Sequence, residues 1–306
     1  MTLPDFDALR RQYETDDALR IRQEIHARYS VPTLDYPEWV LGRVVWRGDE
    51  QILDVGSGRG TYAERIHAHI GGARYVGVDS SLGMLQSWKE VDSARVQGDA
   101  ATLPFADQTF DVVMANHMLY HIADIGATLR EIKRVLKPEG ILIASTNSVE
   151  TMPEFSALLR RAVMHVTANI IASTYGRPGT VLPNAGARPP LSLYERFSLE
   201  NGAQILGREF FAVVRYDLPH ALVFPEAAPA VAYLESWRSM HEPGLPVGVT
   251  WQAVIEVVEE QIERIIQHFG ELVVIKLNGA LVASQHGGFI HEYVQHRQPH
   301  PPTPSP

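Results

Sequence analysis

From residue 51 to 146 the chain alternates short continuous apolar runs with longer stretches whose apolar residues recur every three or four positions. The runs at 51–55, 74–78, 94–97, 111–115 and 141–145 have the length and uninterrupted apolar character of strands buried on both faces. Between them 61–70, 82–90 and 125–136 carry helical spacing; in the first, Ala63, Ile66 and Ile70 share one face. Strands alternating with amphipathic helices predict an α/β fold, a doubly wound and mostly parallel sheet covered on both sides. Ligands of such sheets lie beyond the carboxyl ends of the strands, so the residues that follow each strand hold the chemistry.

The flanks read differently. Residues 5–48 look helical, with Leu9, Tyr13, Leu19, Ile21 and Ile25 on one apolar face. Trp39, Val40, Val44 and Val45 form that of a later helix, after a break from His26 to Pro32. Downstream, 151–172 predicts a helix with Phe155, Leu158, Leu159, Val163 and Val166 inward, and the Pro- and Gly-rich 174–193 a loop over the site. Ser198 can cap a short helix through Leu206, and 209–216 reads as the sixth strand. Residues 226–268 are helical insertions broken by Pro and Gly near 243–248, with a strongly amphipathic run at 251–267. The pattern 271–277, Asn278-Gly279, 280–284 predicts a hairpin, because Asn-Gly suits a type I′ turn; one arm would be an antiparallel seventh strand. The tail 291–306 has too few apolar groups to pack and is expected to be disordered. The expected organisation is a helical arm (1–48), a ligand-binding core (49–150), a lid and substrate region (151–208) and the end of the sheet with its insertion (209–290). Phe155, Tyr175, Tyr194 and Phe197 line an acceptor pocket in that lid, or serve as ordinary core.

Composition narrows the function. A chain of 306 residues, 45% hydrophobic and 21% charged, suits one elaborated globular domain or a domain with a cap. A net charge of −9 without a basic cluster argues against a nucleic-acid partner. Cysteine is absent, which removes disulfides, thiolate nucleophiles and thiolate metal sites. The first residues lack a basic region followed by an apolar run, and no apolar stretch is long enough to span a bilayer, so a cytoplasmic protein is expected.

The first strand ends in Asp54-Val55-Gly56-Ser57-Gly58-Arg59-Gly60-Thr61. Glycines at every second position allow positive φ and let a ligand lie against bare backbone. The helix that follows aims its positive end at that ligand. A dinucleotide fingerprint wants a further glycine where Thr61 stands, which counts against an NAD-dependent oxidoreductase. Asp79, at the tip of the second strand, can accept hydrogen bonds from both hydroxyls of a ribose; capping of the next helix is the alternative. Ser80 and Met84 would flank the base, and Gly98-Asp99-Ala100 after the third strand can accept from and donate to its edge.

The pattern D-x-G-x-G-x-G resembles the first motif of class I S-adenosylmethionine (SAM)-dependent methyltransferases. The segment Leu103-Pro104-Phe105 through Phe110-Asp111-Val112-Val113 to His121, followed by Arg134-Val135-Leu136-Lys137-Pro138-Glu139-Gly140, resembles the methyltransferase type 11 group within them. The resemblance is good over 51–146, loose over 1–50 and poor beyond. It implies a seven-stranded sheet, SAM as donor with S-adenosylhomocysteine as product, and methyl transfer to a small-molecule acceptor. It assigns cofactor contacts to Asp54, Gly56, Ser57, Gly58, Gly60, Asp79, Ser80, Met84, Gly98, Asp99, Ala100 and Asn116. In related enzymes an N-terminal arm closes over the cofactor, which makes Tyr29 and Arg28 candidates, unless Tyr29 packs between helices and Arg28 is solvated.

Methyl transfer is an in-line displacement governed by orientation, and a base matters only if the acceptor carries a proton to be removed. His117, Tyr120 and His121, after the fourth strand, lie nearest that chemistry. Either histidine can act as base or orient an acceptor, His121 can equally hold the loop through a backbone carbonyl, and Tyr120 can simply line the pocket. A metal reading lacks a third ligand. A SAM-binding regulatory protein without catalysis is the remaining alternative, since such motifs report binding and not turnover.

Overall fold

The computed structural model describes residues 17–88, 93–175 and 193–287. In chain order, α1 (Asp17–Tyr29), β1 (Ser30–Val31) and α2 (Tyr36–Leu41) precede β2 (Gln51–Val55), α3 (Thr61–His69), β3 (Arg74–Asp79), α4 (Leu82–Gln86) and β4 (Ala94–Gln97). Then come β5 (Phe110–Asn116), α5 (Ile125–Val135), β6 (Leu136–Asn147) and α6 (Pro153–Tyr175). The chain closes with α7 (Gly202–Leu206), β7 (Ala212–Phe224), α8 (Ala227–Glu235), α9 (Arg238–His241), α10 (Trp251–Phe269) and β8 (Leu272–Ser284).

The eight strands form one sheet in the order β1-β7-β8-β6-β5-β2-β3-β4. β4, β3, β2, β5 and β6 are parallel, and β8, β7 and β1 are antiparallel. The doubly wound α/β reading of the sequence therefore holds, with the two-residue β1 added at the edge of the expected seven strands. One face is covered by α5 and α7 over Leu53, Val113, Leu142 and Leu281; the other by α2 and α3 over Ile52, Met114 and Ile143. No helix among the described residues is long and apolar enough to cross a membrane.

The expected hairpin at Asn278-Gly279 is not formed. β8 runs straight through it and pairs with β7 from Ala212↔Ser284 to Phe224↔Leu272. The Asn278 amide donates to Asn147 Oδ1 at 2.8 Å, and a Cβ at Gly279 would fall 2.3 Å from the Tyr216 carbonyl oxygen. The dipeptide thus serves close contact across three strands, and the turn preference gives way to pairing. Because β6 stops at Asn147, β7 and β8 continue beyond the sheet as a ribbon. On it α1, α6, α8 and α10 build a cap with its own core of Phe155, Leu222, Phe224, Tyr233, Trp251 and Ile262. Each such buried side chain stabilises the cap by roughly 1.5–3 kcal/mol.

Boundaries also move at the amino end. α1 continues through the expected break to Tyr29, and α2 ends at Leu41 with Gly42 as its cap, so Val44 and Val45 lie beyond it. Within the expected helix 82–90, α4 ends at Gln86. Most of the expected loop 174–193 and the tail from 291 lie outside the described residues.

Candidate functional site

The glycine turn sits at the carboxyl end of β2 as expected. Gly56, Gly58 and Gly60 have φ of 71°, 54° and 73°, a region that side chains resist. Its amides are largely used within the fold: Gly56 and Ser57 N–H donate to the Val78 carbonyl (2.7 and 3.0 Å), and Gly60 N–H to that of Ser57 (3.0 Å). Trp88 Nε1 donates to the Gly58 carbonyl at 2.6 Å, and its ring lies under the turn, where a Cβ on Gly60 would be 2.5 Å away. No pattern in the sequence marks Trp88 for this role. On the other side a Cβ on Gly56 would fall 2.7 Å from Met118.

Asp79 joins the turn to the next strand tip. Its carboxylate accepts from Gly58 N–H at 2.9 Å and Ser81 N–H at 2.8 Å. It is not the cap of α4, because Ser81 Oγ accepts the Met84 N–H (3.2 Å) instead. Burial raises the Asp79 pKa above the ordinary carboxylate range. Ser80 is exposed and Met84 buried, and Asp99, also exposed, accepts from Ala101 N–H at 2.8 Å. Gly98 N–H bonds the Asp79 carbonyl at 3.1 Å, and Ala100 is buried.

Three groups around the turn keep unused hydrogen-bonding capacity. Asp54 is buried; Tyr75 donates its hydroxyl to Oδ2 at 2.5 Å, whereas Oδ1 has no partner among the described residues. Burial, with a smaller push from Asp79, raises the Asp54 pKa to about 7 against the Tyr75 hydrogen bond. Ser57 Oγ and both amide atoms of Asn116 are likewise buried without partners among the described residues. Buried polar groups are normally bonded, so this cluster is organised for something that supplies donors and acceptors.

The amino-terminal arm does approach the turn, in a different register from the one expected. Gln23 Nε2 donates to Thr61 Oγ1 at 3.1 Å, Arg59 donates to Gln23 Oε1 at 3.4 Å, and Leu19 lies beside Gly58. Tyr29 instead packs its ring 5.3 Å from that of Phe224 in the cap core, with the exposed Arg28 over it. Leu19, Gln23 and His26 share the inner face of α1 by their spacing, and Tyr29 is spent on packing.

His117 follows β5 with φ of 52° and donates its N–H to the Ser145 carbonyl at 2.9 Å. Its ring lies 5.2 Å from Tyr36 and 6.3 Å from Tyr120, and Tyr120 stacks edge-on against His121 (4.4 Å) and Tyr194 (5.1 Å). Burial holds both histidines at a pKa of about 3, helped by Lys276 near His117 and Arg22 near His121. Such rings are neutral at pH 7 and poorly matched to proton abstraction. The aromatic group thus shapes a wall. Of the proposed lid residues, Phe155 belongs to the cap core and Phe197 to the sheet core, while Tyr194 joins the wall. The Tyr175 side chain lies outside the described residues.

The methyltransferase-domain family profile matches residues 53–144. The demethylmenaquinone methyltransferase of Corynebacterium kroppenstedtii is 36% identical over 127 residues, 40% of this chain and 55% of that protein. That of Mycobacterium sp. strain KMS is 31% identical over 174 residues, 56% of this chain and 71% of its own. The chain thus spans about half the length of the first of these curated relatives. Among solved structures, a candidate methyltransferase from Bacillus halodurans C-125 superposes with a TM-score of 0.51 at 17% identity, covering 81% of this chain and 98% of that one. At that identity the likeness bears on the fold alone. The matched profile covers the glycine turn, Asp79 and the strand tips described above, and the chain belongs to the class I SAM-dependent methyltransferases.

Proposed function

We propose that the protein transfers a methyl group from SAM to a small-molecule acceptor held between the cap and the sheet, and that it does so in the cytoplasm. The observation that carries this reading is the set of buried polar atoms without partners among the described residues, Asp54 Oδ1, Ser57 Oγ and the Asn116 amide, at a turn whose three glycines take positive φ. An amino-acid end bearing an ammonium and a carboxylate fits that set: Asp54 accepts from the ammonium, and Ser57 and Asn116 donate to the carboxylate. Asp79 has lone pairs beyond the two that Gly58 and Ser81 use, enough to accept from ribose hydroxyls. Asp99 and Ala100 stand at the next strand tip for the base edge. When bound, SAM supplies an electrophilic methyl and leaves as a neutral thioether, so no acid is required. The protein's part is to orient the acceptor and exclude water, with Tyr36, His117, Tyr120 and Tyr194 as the wall.

Thermal unfolding with SAM, S-adenosylhomocysteine and NAD tests this. At about 100 times the dissociation constant a native-state ligand raises the midpoint by on the order of 5 °C or more. The two SAM-type ligands should do so and NAD should not; a response to NAD alone would overturn the family of cofactor. Asp79→Ala should remove the shift and also lower the unliganded midpoint, because Gly58 and Ser81 N–H lose their acceptor. Release of S-adenosylhomocysteine with candidate acceptors separates an enzyme from a binding protein.

A further inference from the structure

β8 carries an ammonium in beneath the cap, between α1 and α8. Along it Leu272, Val274 and Lys276 point inward, and Lys276 is 5% exposed. Its Nζ lies 3.0 Å from His26 Nε2 on α1, which lies 3.1 Å from the Tyr233 hydroxyl on α8. His220 is its direct partner across the ribbon on β7. Arg22 on α1 and His117 at the tip of β5 are in electrostatic reach. Glu154, the acid that α6 packs on this stretch, accepts from the Ile275 N–H at 3.0 Å. Among the described residues no carboxylate is within ion-pair distance of Lys276.

A buried ammonium without a counter-charge is costly, and packing alone would be better served by an apolar side chain of that length. Among the described residues the groups around it, His26, His220 and Tyr233, are neutral or hydroxylic and none is an anion. Burial first, and Arg22 second, lower the Lys276 pKa to about 7. Among the described residues the cluster thus has donors and a cation at Lys276 but no carboxylate to match it. It also reaches towards the candidate site: His117, which Lys276 perturbs, directly follows Asn116 at the tip of β5. We propose that Lys276, with His26 and Tyr233, anchors an oxyanion of the methyl acceptor, a carboxylate or an ionised phenol or enol. The inference rests on the methyltransferase reading and adds the substrate class. With its oxyanion on Lys276, the acceptor spans from β8 to His117 and turns its reacting atom towards the cofactor side.

Calorimetry on the full chain saturated with S-adenosylhomocysteine tests this, with benzoate, 4-nitrophenolate and the neutral benzamide as probes. At least one anion should bind about ten-fold or more tightly than benzamide, the margin of a charge-assisted hydrogen bond. Which anion wins tells carboxylate from phenolate. Lys276→Met should erase the preference while keeping S-adenosylhomocysteine affinity and a midpoint no lower than the parent's. In the unaltered protein, benzoate binding at pH 8 should take up about one proton, since the anion restores the ammonium, and almost none at pH 6. Anions that bind no better than benzamide, a preference that survives Lys276→Met, or no proton uptake at pH 8 would each overturn the anchor. Failure of S-adenosylhomocysteine to bind would instead overturn the methyltransferase reading, so the two outcomes are distinct.

Discussion

Lowering the pH from 7.5 to 5 should cost the unliganded protein on the order of 3–5 kcal/mol of stability, a large part of a typical total of about 5–15 kcal/mol. The source is a set of partly buried histidines kept neutral. His117 and His121 are held at a pKa of about 3 and His220 at about 4, in each case first by burial. In the unfolded chain the same rings protonate near pH ~6.5. Between those limits the unfolded state binds protons that the native state refuses, so stability rises with pH across the window and falls as acid is added. Each ring contributes about 1.4 kcal/mol per pH unit below its unfolded pKa, or about 2 kcal/mol at pH 5.

Asp54 opposes this. Its folded pKa of about 7 lies above the unfolded value, so the native state holds the extra proton and gains stability as pH falls towards ~4. That offset is about 2–3 kcal/mol by pH 5, which is why the net loss is smaller than the histidine sum. Urea unfolding at several pH values between 5 and 7.5 reads the slope directly. His121→Asn should flatten it by about one proton's share. A stability that is level or rises towards pH 5 would mean that the rings are solvated or charged in the native state.

How far the sequence shows these things depends on whether the information is local. The turn at Gly56, Gly58 and Gly60, the Asp79 tip and the order of strand and helix up to 146 follow from neighbours in the chain: apolar run length, helical spacing and φ tolerance. Asn278-Gly279 shows where local rules lose. The same two residues suit a type I′ turn or a tight strand crossing, and only the partner strands, with Asn147 and the Tyr216 carbonyl, decide. The arm was legible as an arm, yet which residues of α1 face the turn depends on how the helix is rolled against the cap; Leu19 and Gln23 face it while Tyr29 does not. Lys276 and His26 are 250 positions apart, and neither carries a motif that would pair them. The same holds for Trp88 beneath Gly58, whose ring in sequence looks like any core aromatic.

Gly60→Ala should destabilise the protein by about 2–5 kcal/mol and abolish cofactor binding, although it adds a single methyl. Two costs combine. The φ of 73° at this position is unfavourable for any residue with a Cβ, by roughly 1–2 kcal/mol. The new methyl also lands 2.5–2.8 Å from three atoms of the Trp88 ring, and overpacking of this kind typically costs about 1–3 kcal/mol. The ring cannot retreat freely, since its Nε1 is bonded to the Gly58 carbonyl and its far edge fills the space over Gly77. The two costs separate in a Trp88→Leu background, where the steric part is relieved and Gly60→Ala should add only about 1–2 kcal/mol. Gly71→Ala is the control: no atom lies within 4 Å of its added methyl and its φ is not positive, so its effect should stay within about 0.5 kcal/mol. Urea midpoints at constant slope measure all of these. Should Gly60→Ala match Gly71→Ala, or cost as much without the indole as with it, then Trp88 is not the floor on which the turn rests, and the shape of the cofactor cradle must be set from the Met118 side.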